Sequence, residues 1–259
     1  MLGRKQSIAH EAFAEAMARI EQVVSRKELD DLLARTVREV RSFVAGKRAA
    51  FGWSGGKDSI ALEHVCMLAG VEECVLVISD LEYPDFLRWT TNNMPPRLEV
   101  VSTGQDIAWL KKHPDMLFPK DVATAGKWFK IVQHTGQERY YRDHDLDVLI
   151  VGRRKADGNF VGPKGAYTSR GITRYSPIRD WRHEDVLALI HYYKKPMPPC
   201  YSWPRGYRVG TGPWPARQWT LSEDHGFSEV WAIDPDVVRA AASAAFAPAR
   251  DYMKRHGLT

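Results

Sequence analysis

Within six positions, Ser54-Gly55-Gly56-Lys57-Asp58-Ser59 gathers the residue types that hold a phosphate. The two glycines let backbone N–H groups approach an anion and take positive φ where a turn needs it. Lys57 brings a full positive charge, and Ser54 and Ser59 bring hydroxyl donors. Before the loop, Ala49 to Trp53 reads as the end of a buried strand. After it, Ile60, Leu62, Val65 and Leu68 form an apolar-periodic run that reads as a helix. A helix there aims its N-terminal dipole and free N–H groups at the same point. The Walker loop is excluded. That motif has a Gly separated by four residues from its Gly-Lys pair, with Ser or Thr after the Lys. Phe51 occupies the first position here, and Asp58 follows Lys57.

Further candidates sit at the ends of other predicted strands, where open α/β sheets bind ligands. The apolar run Cys74 to Ser79 suits a strand covered on both faces, and it leads into Asp80, Leu81, Glu82, Tyr83 and Pro84. Asp80 and Glu82 are placed to meet a ribose hydroxyl or a magnesium ion; alternatively they cap a helix opening at Pro84. Asp58 and Asp80 are the candidate metal ligands. Asp147 to Val151 reads as another strand and leads into Gly152, Arg153, Arg154 and Lys155. A guanidinium pairs with phosphate oxygens as a fork, so this basic cluster is a second phosphate-binding candidate. Polar, Gly-rich Asn159 to Ser169 reads as a mobile lid, with Arg170 and Arg174 at its end.

The elements that must position these groups follow from periodicity. Ser7 to Val24 is helical in spacing. A second helix opens with Ser25 and Glu28 as a capping box and presents Leu29, Leu32, Leu33, Val37 and Val40 on one face. These two helices either cover the sheet or present a homodimer surface. Leu98 to Ser102 is a third strand, and Gly104 to His113 a short helix. Pro119 to Gly126 is loop, and Trp128 to Arg142 is a helix interrupted at Gly136, made basic by Lys127, Lys130 and Arg139. Tyr175 to Ile178 is a fifth strand and Arg182 to Tyr193 a helix. Lys194 to Arg217 is rich in Pro and aromatic residues and irregular. Its rings either stack on bases beside Arg205, Arg208 and Arg217 or pack on the core. Asp234-Pro235 opens a last helix that bends at Pro248 and stops at Gly257. The pattern predicts an α/β fold: a doubly wound, mostly parallel, five-stranded sheet with helices on both faces. N-terminal helices span 1–46, a nucleotide-binding domain 47–195, and a C-terminal helical and irregular extension 196–259.

The 259 residues, 44% of them hydrophobic, suffice for one large α/β domain with terminal additions. No run of 18 apolar residues occurs, so no membrane partner is expected, and Met1 to His10 has no apolar signal core. A cytoplasmic protein is expected. The formal net charge of +5 suits a polyanionic partner such as a nucleotide or nucleic acid. The cysteines, Cys66, Cys74 and Cys200, are odd in number and form no Cys-x-x-Cys pair, which argues against a disulfide framework or an all-cysteine metal site.

Ser54 to Ser59 matches the pyrophosphate loop of the ATP-pyrophosphatase superfamily. Within it the chain resembles the phosphoadenosine phosphosulfate reductase family, at Asp80 to Pro84, Trp128-Phe129-Lys130, Gly152-Arg153-Arg154, Ser176-Pro177-Ile178-Arg179-Asp180-Trp181 and Asp185-Val186, with echoes at Pro199-Cys200-Tyr201 and Gly206-Tyr207. The resemblance implies an enzyme that binds ATP, or a 3′-phosphoadenosine sulfonucleotide, with Mg2+. It makes Lys57, Asp58, Arg153, Arg154 and Lys130 the catalytic candidates. Ser54, Gly55, Gly56, Lys57, Asp58, Ser59, Asp80, Glu82 and Gly152 are the nucleotide-binding candidates. Cleavage of ATP at the α phosphate would adenylate an acceptor, a nucleic-acid base or a carrier protein among the possibilities. Reductases of this family use a cysteine near the C-terminus, and some hold an iron–sulfur cluster. This chain has no cysteine after Cys200, and Val209-Gly-Thr-Gly-Pro-Trp214 stands where relatives carry paired cysteines. No cluster is therefore expected. Reduction would rest on Cys200 as an unusual nucleophile, and a non-catalytic nucleotide-binding module is the third reading.

Overall fold

The computed structural model describes residues 2–218 and 220–258. Met1, Trp219 and Thr259, which fall within the segments 1–46 and 196–259 read above, lie outside the described residues. The strands are β1 (Ala49–Gly52), β2 (Glu73–Ile78), β3 (Arg97–Ser102), β4 (Val148–Ile150), β5 (Ala166–Ser169) and β6 (Ile172–Tyr175). They form one sheet in the order β3-β2-β1-β4-β6-β5. All neighbours are parallel except β5 and β6, which pair as an antiparallel hairpin.

Side-chain alternation explains the two-sided core. Along β2, Cys74 and Leu76 enter one apolar cluster, while Val75 and Val77 enter the other. On the first face lie helices His10–Ala18, Arg26–Val44, Lys57–Ala69 and His183–Tyr192. The N-terminal helices thus cover the sheet: Phe13, Leu29 and Val40 are fully buried there. Ser25 caps the second of them with the expected Glu28 capping box. The opposite face carries Val122–Phe129, Thr135–Asp143, Glu223–Ile233, Pro235–Ser243 and Ala247–Arg255. No helix among the described residues is long and apolar enough to cross a membrane.

Several local expectations are corrected. The sheet has six strands rather than five, because the segment expected to be a lid ends in β5, and the strand expected at Tyr175 to Ile178 lies at Ile172–Tyr175. A helix already starts at Val122, capped by the Asp121 side chain on the Thr124 amide, where loop was expected. The expected bend at Pro248 is instead a break at residues 244–246, with Pro248 in the first turn of helix Ala247–Arg255, and Glu223–Ile233 is a helix that periodicity did not reveal.

Gly136 does not interrupt its helix. The helix passes through one wider π turn at Lys130–His134 and continues through Thr135–Asp143. Gly136 instead lets that helix touch β2, since a β carbon there would stand 2.3 Å from the Val77 side chain. Gly136→Ala would gain helix propensity on an isolated helix. In this fold it should lose about 1–3 kcal/mol to overpacking, read as a lower urea midpoint at unchanged m-value.

Candidate functional site

The strand order reverses between β1 and β4: β2 and β3 lie to one side of β1, while β4, β6 and β5 lie to the other. Such a switch point leaves a crevice at the carboxyl ends of the two strands. A cavity of about 500 Å3 opens there, within the usual range for small-molecule sites. It is lined by Gly52 and Trp53 after β1, Ser54, Asp58 and Ser59 of the loop, and Val151, Gly152 and Arg153 after β4. Phe129, Gln133, His134, Gln137, Asn159 and Thr211 complete the wall.

The loop is folded on itself by its own hydroxyls. Ser59 Oγ accepts the Ser54 amide at 3.1 Å and donates to the Gly56 carbonyl at 2.9 Å. Gly55 takes φ +66°, and a β carbon on it would meet Trp89 at 2.9 Å, so backbone conformation and space both require glycine. The Lys57 amide donates to the Tyr201 hydroxyl at 2.7 Å. First-turn amides have no partner within a helix, and those of Gly55, Asp58 and Ser59 find no acceptor among the described residues. Gly152 backs onto this turn: a β carbon there would lie 3.2 Å from the Asp58 carbonyl oxygen and 3.6 Å from the Ser59 amide.

Lys57 and Arg154 do not line the cavity; they lie beneath it. Both are fully buried and grip Asp58, with Lys57 Nζ 2.7 Å and Arg154 Nη2 2.8 Å from its carboxylate. Arg154 also reaches Asp157 at 3.0 Å, His183 Nδ1 at 3.1 Å and the Trp181 carbonyl at 3.3 Å. Burial favours the neutral acid at Asp58, but Lys57, Arg154 and Lys5 outweigh it and hold the carboxyl well below its ordinary range. Burial pushes the Lys57 amine down to about 8, with Asp58 pulling the other way.

The cation that does line the cavity is Arg153. Its guanidinium hydrogen-bonds the Tyr167 hydroxyl on β5, meets His134 Nε2 at 2.9 Å, and lies over the Phe129 and Tyr167 rings. Burial, then the charges of Arg153, Arg174, Arg170 and Lys130, lower His134 to about 4, so it is neutral near pH 7. Lys130 is exposed and outside the cavity wall.

Asp80 and Glu82 belong to a different cavity, between the segment after β2 and helix Pro235–Ser243. Asp80 is exposed and accepts the Ser102 hydroxyl at 2.8 Å. Glu82 turns back to the Ser79 amide at 3.2 Å, leaving Tyr83 as N-cap of helix Pro84–Asn93. The structure therefore does not bring Asp58 and Asp80 together as one metal site. Among the described residues no group of three or more His, Cys, Asp or Glu could hold a metal. Both Asp58 oxygens are already engaged by cations.

A phosphoadenosine phosphosulfate reductase domain matches residues 48–212, well over half of the chain. The chain belongs to the phosphoadenosine phosphosulfate reductase family. This is a nucleotide-binding enzyme family of the pyrophosphate-loop superfamily. No curated protein matches the chain. Among solved structures, the phosphoadenylyl-sulfate reductase of Candida auris, a phosphate complex, shares the fold with a TM-score of 0.53 and 17% identity, covering 74% of this chain and 96% of that one. An NMN synthetase from Francisella tularensis gives 0.49 at 16% identity over 71% and 79% of the two chains. A U34-tRNA thiolase from Methanococcus maripaludis, solved with its 4Fe–4S cluster, gives 0.41 at 15% over 98% and 84%.

Against that family, this member's three cysteines are all buried. Cys200 does not line the cavity, and burial pushes its thiol up to about 12 despite Lys5 and Arg217. The Pro-rich segment packs rather than standing free. Tyr201, Tyr207 and Trp214 are buried, and Arg205 and Arg217 both clamp Glu229, at 2.6 and 3.1 Å. Sequence reasoning missed Gln133, His134, Gln137, Tyr201 and Thr211. Gln133 and Gln137 carried the one available signal, two amides a helical turn apart on a stripe otherwise buried.

Asp58→Asn leaves buried Lys57 without a counter-charge and Arg154 with Asp157 alone, and should cost about 3–5 kcal/mol, measured by urea unfolding. Glu82 is raised to about 7 by burial, from an ordinary value of 4.5. Between those values the folded protein holds a proton that the unfolded chain has released, so stability falls as pH rises through the window. Glu82→Gln removes that slope. The variant should gain about 1–3 kcal/mol on wild type between pH 4.5 and 7.5, read from unfolding midpoints at the two pH values.

Proposed function

We propose that this family member binds an adenine nucleotide with its phosphates over the Ser54–Ser59 loop and cleaves ATP between the α and β phosphates, adenylating an acceptor in the cytoplasm. The reading rests on one observation. A cavity at the sheet's switch point is bounded by loop amides with no acceptor of their own and by the Arg153 guanidinium. Amides at a helix N-terminus attract anions without contributing a mobile charge. Arg153 supplies the charge, and its contacts to Tyr167 and His134 fix its direction.

In this reaction an acceptor oxygen attacks the α phosphorus, the bond to the bridging oxygen breaks, and pyrophosphate leaves. Negative charge grows on the phosphoryl oxygens, so fixed donors aimed at them lower the barrier. The loop amides and Arg153 are those donors. Lys57 and Arg154 act through Asp58, by holding the loop in shape. A neighbouring cavity of about 120 Å3 shares Phe129, Gln133 and Thr211 with the first and adds Tyr83 and Trp128 to its lining. We assign the adenine ring to it. Magnesium would enter with the nucleotide's own phosphates.

Sulfonucleotide reduction at Cys200 is the weaker reading, because that thiol is buried and its thiolate strongly disfavoured. Incubation with ATP and Mg2+, scored for pyrophosphate and adenylate, tests the proposal. Wild type should release pyrophosphate, and Arg153→Ala should lower the rate about 10²–10³-fold. ATP binding without turnover would reject the reaction and leave a binding module. Sulfite release from a sulfonucleotide, lost in Cys200→Ser, would reverse the order of the two readings.

A further inference from the structure

The mouth of the cavity carries a surface that reaches beyond the chemistry just proposed, with Phe129 and Arg153 at its inner edge. Phe160 is 67% exposed and Phe129 45% exposed, and the two rings are linked through Tyr167 and Arg153. Around them stand Lys130, Arg153, Arg170 and Arg174, the four cations that bear on His134, with Glu138 as their acidic neighbour. Glu138 reaches Arg170 at 3.8 Å. Arg174 is 3% exposed, makes no ion pair among the described residues, and its Nε has no hydrogen-bond partner.

The hairpin tip adds an independent observation. Arg170 and Gly171 form the two-residue turn between β5 and β6, at φ +54° and +76°. Positive φ at both positions is the signature of a type I′ turn, where Asn, Asp or Gly is favoured. An arginine there works against its own backbone preference, and its side chain is 74% exposed. Backbone strain of this kind points from the outlier to function.

We propose that this face docks single-stranded nucleic acid, with a base stacked on Phe160 and Phe129 and backbone phosphates on Arg170 and Lys130, bringing the strand to the cavity as the acceptor. Charge complementarity and two exposed rings beside a cationic track are what sequence-tolerant recognition of a single strand requires. Duplex nucleic acid keeps its base faces stacked away from such rings. The proposal rests on the adenylation reading for what the strand is brought to do, but binding itself needs no ATP.

The test is fluorescence anisotropy of a labelled 20-nucleotide single strand, DNA and RNA in turn, on the full chain without nucleotide. Phe160→Ala should weaken binding about 5–150-fold, and Phe160→Trp should retain it. Arg170→Asn should weaken binding and make the slope of log affinity against log salt shallower by about 0.7, the share of one phosphate. It should also raise the melting temperature by about 2 °C through turn relief. A structural role for Arg170 would move stability the other way. The inference is overturned if Phe160→Ala binds as wild type, or if duplex and single strand bind equally. Binding retained by a protein that releases no pyrophosphate would overturn the adenylation reading alone. Pyrophosphate release without any polynucleotide binding would overturn this inference alone.

Discussion

Everything at the switch point depends on one carboxylate held between two buried cations. Asp58 belongs to the first turn of helix Lys57–Ala69, which follows β1, and Arg154 to the segment after β4. Their 2.8 Å contact ties two segments nearly a hundred residues apart. Lys57 closes the third side. Burying any one of these charges alone would be prohibitive, and together they are tolerable only because each is hydrogen-bonded. The arrangement is therefore all-or-none: the loop takes its shape when β4 is in place. Gly152 makes the approach possible, since any side chain there would press on the Asp58 carbonyl.

The same network decides the electrostatics of the cavity. Lys57, Asp58, Arg154 and Asp157 carry two positive and two negative charges and present no net charge upward. A carboxylate lining a phosphate site would otherwise repel its ligand. With Asp58 neutralised from below, the attraction left for an anion comes from the amides and from Arg153. On the proposed reading, the charge in the loop motif is spent on architecture, and the charge that meets substrate is supplied from the neighbouring strand. His134, neutral beside Arg153, adds no competing cation and leaves the guanidinium's direction to be set by hydrogen bonds.

How much of this was legible depends on sequence separation. The strand–loop–helix unit, the Ser25 and Asp234 caps and the two-sided β2 strand are local patterns, and each was readable from residue types a few positions apart. The β5–β6 hairpin was not. Its turn carries Arg-Gly instead of Asn-Gly, and its strands are short and polar enough to read as loop. The direction of a side chain was harder still. Lys57 looks like a phosphate-binding lysine until burial shows it pointing beneath the loop, and Asp58 and Asp80 look like one pair until the sheet order sends them to separate cavities.

The C-terminal segment shows why composition alone misplaces a function. Its Pro, Trp and Arg residues match a base-stacking surface, yet Arg205 and Arg217 are both spent on Glu229. With those cations neutralised and the rings buried, the segment acts as a wall: Tyr201 takes the first amide of the loop helix, and Thr211 faces the cavity. The aromatic–basic combination that remains open lies on the other rim, where Phe160 and Arg170 come from a stretch read only as a lid. What separates the two surfaces is how firmly a carboxylate holds the arginines: Glu229 meets Arg205 and Arg217 at 2.6 and 3.1 Å, whereas Glu138 reaches Arg170 only at 3.8 Å and leaves it 74% exposed.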